Sequence, residues 1–138
     1  MSPILANRLR TPDGTLLESI NIHDYVSHVD ANGETYFTDG GRAYLRRSVN
    51  TIPATDLTVT LESPWEDQRT YFTWGTYGKD GKQKLQYKAL KDLTTEHIQA
   101  ILDTQKHIPD WMRNLIFERE LKYRSHNDLH IWEHSKTN

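Results

Sequence analysis

Short blocks of alternating hydrophobic and polar residues fill the first third of the chain, and turn signals separate them. The pattern predicts strands over residues 4–10, 15–20, 25–29 and 34–38. Thr11-Pro12-Asp13-Gly14 divides the first pair, and Asp30-Ala31-Asn32-Gly33 divides the second. Proline fixes φ, glycine accepts a positive φ, and Asn-Gly is typical of hairpins. After Asp39-Gly40-Gly41, we expect a further strand over residues 42–47. This third therefore predicts an antiparallel meander.

The last third has the periodicity of helices. Thr94 or Thr95 can cap a helix whose apolar residues recur at helical spacing, and Pro109 starts a second helix reaching about residue 123. Two helices joined near residues 107–109 should form a helical hairpin. Between these regions, the pattern predicts a strand over 57–61, a short helix from Ser63-Pro64 to about residue 72, and a hairpin over 72–77 and 82–90.

These elements predict an α+β protein: antiparallel β meander and hairpins followed by a C-terminal helical hairpin. We expect one domain over residues 1–138, because neither half is large enough to fold stably alone. Within it, residues 1–62 form a mainly β unit, 63–124 a hairpin with helices, and 125–138 a tail.

The composition narrows the classes of function. The chain has no cysteine, which excludes disulfides and thiolate-bound metals. No apolar run approaches the roughly 20 residues of a membrane helix, and the first residues lack the pattern of a signal peptide. A net charge of -2 argues against a general binder of polyanions. A local basic strip over residues 79–91 is an exception, and a solvated face is its commoner explanation.

Several short motifs resemble a known family. They are Asn7-Arg8-Leu9-Arg10, Leu17-Glu18-Ser19, His23-Asp24-Tyr25, Asp39-Gly40-Gly41 and Tyr44-Leu45-Arg46-Arg47. Together they are similar to a zinc-ribbon-like unit in small phage and bacterial proteins of uncharacterised function. Residues 74–81, 93–102 and 118–124 resemble a longer, phage-encoded branch.

The resemblance implies ancestry and no particular reaction. Thr11, Asp13, Val29 and Ala31 stand near positions where that family has cysteines, so no zinc role carries over and no cofactor is expected. It implies a phage protein that works in the host cytoplasm.

A binding surface is predicted near the two glycines. If residues 42–47 form a strand, Arg42, Tyr44 and Arg46 face the same way. Arginine beside tyrosine suits nucleic acid through stacking and phosphate contacts, and it equally suits a protein partner. The full set of candidate binding residues is Arg8, Arg10, Arg42, Tyr44, Arg46 and Arg47.

Three other clusters have a functional and a structural interpretation. His23, His28 and Asp39, with Asp24, could hold a metal, although Asp24 and Asp39 more often close turns. His126, His130 and His134 are spaced for one helical face, but their neighbours favour an extended tail. The third cluster is aromatic and is more often core than ligand groove: Trp65, Tyr71, Phe72, Trp74 and Tyr77.

Three functions follow from these observations. The first is a non-enzymatic phage accessory protein that binds a host or phage macromolecule in the infected cell, with a protein as the favoured partner. The second is nucleic-acid binding through Arg8, Arg10, Arg42, Arg46 and the strip over 79–91. The third is a metal-dependent hydrolase centred on His23, His28 and Asp39. The first is favoured because no catalytic set is assembled in the sequence.

Overall fold

The computed structural model describes residues 2–78 and 80–133. It contains two compact units, Met1–Tyr71 and Phe72–Asn138. Antiparallel sheets come first and helices last, which confirms the predicted α+β class. No helix among the described residues is long and apolar enough to cross a membrane.

Strands and one short helix build the first unit. They are β1 (Ile4–Arg10), β2 (Leu16–Ser19), β3 (Val26–Val29), β4 (Thr35–Asp39), β5 (Arg46–Arg47), β6 (Thr55–Asp56), β7 (Val59–Thr60) and α1 (Trp65–Tyr71). In one sheet β1 pairs with β2, β6 and β7, and in another β4 lies between β3 and β5. All these pairings are antiparallel. Leu9, Leu17 and Tyr36 form a buried cluster between strands of the two sheets.

Both predicted turns are present. The amide of Gly14 donates to the carbonyl of Thr11, and the amide of Gly33 donates to the carbonyl of Asp30. Each glycine has a positive φ, which glycine adopts at little cost. The carboxylate of Asp30 also accepts the amides of Asn32 and Glu34. Local hydrogen bonds therefore fix both hairpins.

Two predicted strands differ from the structure. Residues 42–45 are not extended, because the turn that starts at Gly40 continues: its carbonyl accepts the amides of Ala43 and Tyr44. Of the strand predicted over 57–61, only β7 (Val59–Thr60) is present, and β6 (Thr55–Asp56) lies before the predicted range. Between β6 and β7 the strand conformation is interrupted, and there the carboxylate of Asp56 accepts a hydrogen bond from the amide of Thr58.

The second unit places a hairpin before its helices. The elements are β8 (Thr73–Thr76), β9 (Gln86–Ala89), a 3₁₀ turn (Leu90–Asp92), α2 (Thr95–Thr104), α3 (Asp110–Met112), a π-helical turn (Arg113–Phe117) and α4 (Glu118–Asn127). Phe117 is fully buried and makes edge-to-face contacts with Phe72 and Trp74. The guanidinium of Arg113 donates to the last carbonyls around the end of α2, those of Leu102 and Gln105.

A buried ion pair lies inside the second unit. Glu120 and Arg124 are both fully buried, and Arg124 Nε donates to Glu120 Oε2 at 2.8 Å. Arg124 also donates to the carbonyl of Leu90 at 3.0 Å and to Thr95 Oγ1 at 3.2 Å. The pair therefore joins α4 to the 3₁₀ turn and to the start of α2.

The predicted tail begins as a helix. Residues 125–127 belong to α4, so the extended tail predicted from residue 125 is wrong there; the helix ends at Asn127, and the Asp128 that follows has a φ of 55°. His126 therefore lies on the helix, and His130 lies beyond it. His134 lies outside the described residues. His130 Nδ1 contacts Thr95 Oγ1, and Nε2 contacts Ser125 Oγ, each at 3.0 Å.

Candidate functional site

The side chain of Asp39, the first residue of the Asp-Gly-Gly motif, accepts hydrogen bonds from two residues that follow the motif. Asp39 is the last residue of β4 and lies directly opposite Arg46 of β5. Its carboxylate Oδ2 accepts hydrogen bonds from Nε and Nη2 of Arg46 at 3.1 and 3.0 Å, and from the Tyr44 hydroxyl at 3.4 Å. The Asp39 side chain is only 9% exposed, whereas that of Arg46 is 57% exposed. A buried carboxylate therefore orients an exposed guanidinium.

Gly41 lets the turn after Asp39 pack closely against the loop that contains Ile20 and Asn21. Gly41 has a positive φ, and a Cβ added there would overlap the backbone carbonyls of Ile20 and Asn21. Its amide donates to Ser19 Oγ at 2.9 Å. The carboxylate of Asp24 accepts the amide of Ile20, as the turn interpretation of Asp24 expects. The glycines act as turn residues that allow close backbone packing.

The side chain of Arg47 holds neighbouring strands together. Its guanidinium donates to Asp56 Oδ1 at 2.8 Å, to Thr58 Oγ1 at 2.7 Å and to the carbonyl of Arg8 at 2.7 Å. These contacts join β5 to β1 and to the segment between β6 and β7. The buried side chain of Asn7 adds a second link, because it donates to the carbonyl of Asp39.

Arg8 is also engaged within the unit. Only 9% of Arg8 is exposed, its Nε donates to Glu18 Oε2 at 3.0 Å, and its guanidinium lies 3.7 Å from the ring centroid of Tyr71. Such cation–π contacts are stabilising when partly desolvated. Of the predicted binding residues, Arg8 and Arg47 thus hold the fold, while Tyr44 and Arg46 are exposed together.

Arg46 belongs to an exposed aromatic surface that the sequence did not indicate in full. Tyr36 and Thr38 point into the core, so alternation places Phe37 on the opposite side of β4. The Phe37 ring stacks on Tyr25 with centroids 5.0 Å apart, and the guanidinium of Arg46 lies 4.9 Å from the Phe37 centroid. We call the set of Tyr25, Phe37, Tyr44 and Arg46 the aromatic–arginine face.

The remaining predicted binding residues lie elsewhere. Arg10 is exposed at the end of β1, in the other sheet of the unit. Arg42 is half-buried in the turn after Gly41 and not on a strand, so the predicted common orientation of Arg42, Tyr44 and Arg46 is wrong in its geometry. Tyr25 and Phe37 were missed as binding residues. Their signal was the alternation of buried Tyr36 and Thr38 with Phe37, which requires knowing which face is core.

The candidate metal ligands are not brought together. Asp39 is engaged by Arg46 and Tyr44, His28 contacts Asp13, and His23 is exposed in a turn. No group of three histidine, aspartate or glutamate side chains within residues 2–78 and 80–133 could hold a metal ion. The metal-dependent hydrolase alternative therefore has no ligand set among these three residues.

His28 and Asp13 form a contact between the two hairpins. His28 Nε2 lies 2.7 Å from Asp13 Oδ2, and Thr15 Oγ1 lies 3.3 Å from the same nitrogen. A nucleophile–base–acid relay uses both ring nitrogens, so this geometry is not a relay. Hydrogen bonds from Thr11, His28 and Thr15 hold the pKa of Asp13 well below its usual range.

The basic strip lies in the second unit. Lys82, Lys84 and Lys88 are exposed, and Lys79 lies outside the described residues. Burial and the nearby charge of Lys88 lower the pKa of His97. The aromatic cluster is divided: Phe72 is fully buried, while Tyr77 is 55% exposed.

No family model, curated protein or solved structure matches the chain.

Proposed function

We propose that the protein works by binding another protein through the aromatic–arginine face, without catalysing a reaction. The carrying observation is the layered arrangement of Tyr25, Phe37 and Arg46, in which Asp39 holds Arg46 and the Tyr25 and Arg46 side chains are exposed while Phe37 is half-buried. Tyrosine and arginine are the residue types that contribute most to binding energy at protein interfaces. Because the rings and the guanidinium are already ordered, little side-chain entropy is lost on binding.

Charge favours a protein partner over nucleic acid. The first unit has six lysines and arginines against ten aspartates and glutamates. Arg8 and Arg47 are engaged inside the unit, which leaves few cations for a phosphate backbone. Nucleic-acid binders rely on such cations for most of their affinity. In line with the sequence resemblance, we propose that the partner is a host or phage protein in an infected cell.

Affinity capture with matched variants tests this function. Tyr25→Ala removes one exposed ring of the face, whereas Tyr77→Ala removes a ring of similar exposure in the second unit; the two are 52% and 55% exposed. The full-length chain and both variants are used as baits in host extract, and captured proteins are quantified. We expect a partner that is retained by Tyr77→Ala and depleted at least about fivefold by Tyr25→Ala, as for a residue worth ~1 kcal/mol. Equal recovery with both variants would reject the face.

A further inference from the structure

The guanidinium of Arg46 is fixed on one edge and on one flat side. Its Nε and Nη2 both donate to Asp39 Oδ2, so the side edge is occupied. The flat side lies over Phe37 at 4.9 Å, with the Tyr25 centroid at 6.0 Å. Two independent constraints therefore set the direction of the remaining N–H groups.

The remaining N–H groups of Arg46 are available to a ligand. A guanidinium has five N–H donors, and two of them serve Asp39. Among the residues that the structure describes, none accepts a hydrogen bond from Nη1 of Arg46. The end edge made by Nη1 and Nη2 thus keeps parallel donors, which is the geometry that binds a carboxylate with two hydrogen bonds. With the side chain 57% exposed, this edge is accessible.

We propose that the partner places a single aspartate or glutamate carboxylate on the free edge of Arg46, next to an apolar side chain that covers Tyr25 and Phe37. This rests on the proposed function, that the aromatic–arginine face binds a protein. Asp39 then serves as a positioning residue, because it orients the guanidinium of Arg46 without touching the partner.

The net charge of the first unit favours an isolated carboxylate over a run of negative charges. Ten acidic residues against six basic ones in the first unit would repel a chain of phosphates or a run of acidic residues. One carboxylate that forms charge-assisted hydrogen bonds with Arg46 offsets that repulsion locally. The stacked rings beside it provide apolar area, so the partner segment is expected to be apolar around its acidic residue.

A random peptide library displayed on phage, selected on the immobilised full-length chain, provides the probe. Selected peptides are then synthesised in two forms, with the acidic residue intact and with it changed to the corresponding amide. Their affinities are measured for the wild-type chain, for Arg46→Lys, for Tyr25→Ala and for the control Arg10→Lys. Lysine keeps the charge beside Asp39 but loses the planar fork, and Arg10 is an exposed arginine in the other sheet.

We expect selected peptides to contain one acidic residue beside an apolar one. The amide form and Arg46→Lys should each weaken binding about tenfold or more, since hydrogen bonds to charged groups are worth ~1.5–3 kcal/mol. Arg10→Lys should leave affinity unchanged. The amide comparison leaves the protein unaltered, so it remains decisive even if Arg46→Lys disturbs the fold.

Other outcomes separate the two proposals. Peptides that lose affinity with Tyr25→Ala but bind equally well in acid and amide forms would overturn the carboxylate inference and keep the face. Selected peptides that are indifferent to Tyr25→Ala, or a selection that enriches none, would overturn both. Enrichment of peptides that carry several acidic residues would overturn the isolated-carboxylate inference alone.

Discussion

His28 Nε2 lies 2.7 Å from Asp13 Oδ2, and this contact joins the β1–β2 hairpin to the β3–β4 hairpin. Asp13 also accepts hydrogen bonds from Thr11 and Thr15. A small polar network therefore links the turn at residues 11–14 to β3.

The Asp13 network makes the first unit sensitive to acid. The pKa of the Asp13 carboxyl is lowered from its ordinary value of 3.8, so the ionised carboxylate stabilises the fold above that pH. The contribution is lost as the pH falls below 3.8 towards the lower pKa of the folded state. We predict that Asp13→Asn lowers the thermal midpoint at neutral pH and that the difference from wild type shrinks in acid. Thermal unfolding across pH measures this.

Asp103→Asn is the matched control for Asp13. Asp103 is exposed on α2, and its side chain makes no hydrogen bond with the described part of the chain. A difference between Asp13→Asn and wild type that stays constant from neutral pH to strong acid would contradict the linkage.

The buried pair of Glu120 and Arg124 makes loss of one partner costly. We predict that Arg124→Met destabilises the second unit by about 3–5 kcal/mol, because it removes the cation that is paired with the buried Glu120 carboxylate. The double variant Glu120→Leu/Arg124→Met should be more stable than the single one, since no buried charge remains. Urea unfolding followed by the helical signal compares them. A double variant less stable than Arg124→Met would contradict this account, because the carbonyl of Leu90 has lost Arg124 in both variants.

The hydroxyl of Thr95 connects three parts of the second unit. It accepts from Arg124 Nη1 and from the amide of Ile131, each at 3.2 Å, so its proton is available to His130 Nδ1. We predict that Thr95→Val costs about 1–3 kcal/mol, because buried donors lose their acceptor. Thr104→Val, at an exposed position of the same helix, should stay within about 0.5 kcal/mol of wild type. Equal effects in urea unfolding would argue against the role of Thr95.

Gly40 is predicted to be much less replaceable than Gly14. Its φ is +101°, and an added Cβ would overlap both the carbonyl oxygen and the ring of Tyr44. Gly14 has a φ of +92° but open space around it, so it reports the backbone cost alone. We expect Gly14→Ala to cost about 1–2 kcal/mol and Gly40→Ala clearly more. Thermal unfolding compares the two variants, and equal costs would contradict the steric argument.

Local chemistry explains what the sequence could predict. The turns at residues 11–14 and 30–33 need only proline, glycine and short polar side chains, so the strands around them were predicted correctly. The helix cap at Thr94 is equally local, since its hydroxyl accepts the amide of His97. The strand predicted over 42–47 failed because two glycines with positive φ extend the turn to Tyr44.

Long-range contacts explain what could not be predicted. Arg8 and Arg46 look alike in sequence, yet one is buried under Tyr71 and the other is exposed, because their neighbours come from distant segments. Glu120 and Arg124 follow Ile116 at helical spacing on the buried side of α4, so charged residues occupy core positions. A polarity pattern assigns such positions to the surface. The binding residues remain predictions, now restricted to those on the aromatic–arginine face.

The link between Thr95 and Ile131 bears on how this protein should be dissected. The amide of Thr95 donates to the carbonyl of Ile131, so the start of α2 is completed by residues far along the chain. A fragment that stops before residue 131 would lose that support. Progressive shortening from the carboxyl end would therefore report unfolding of the helices, and it would be mistaken for a map of where a partner attaches.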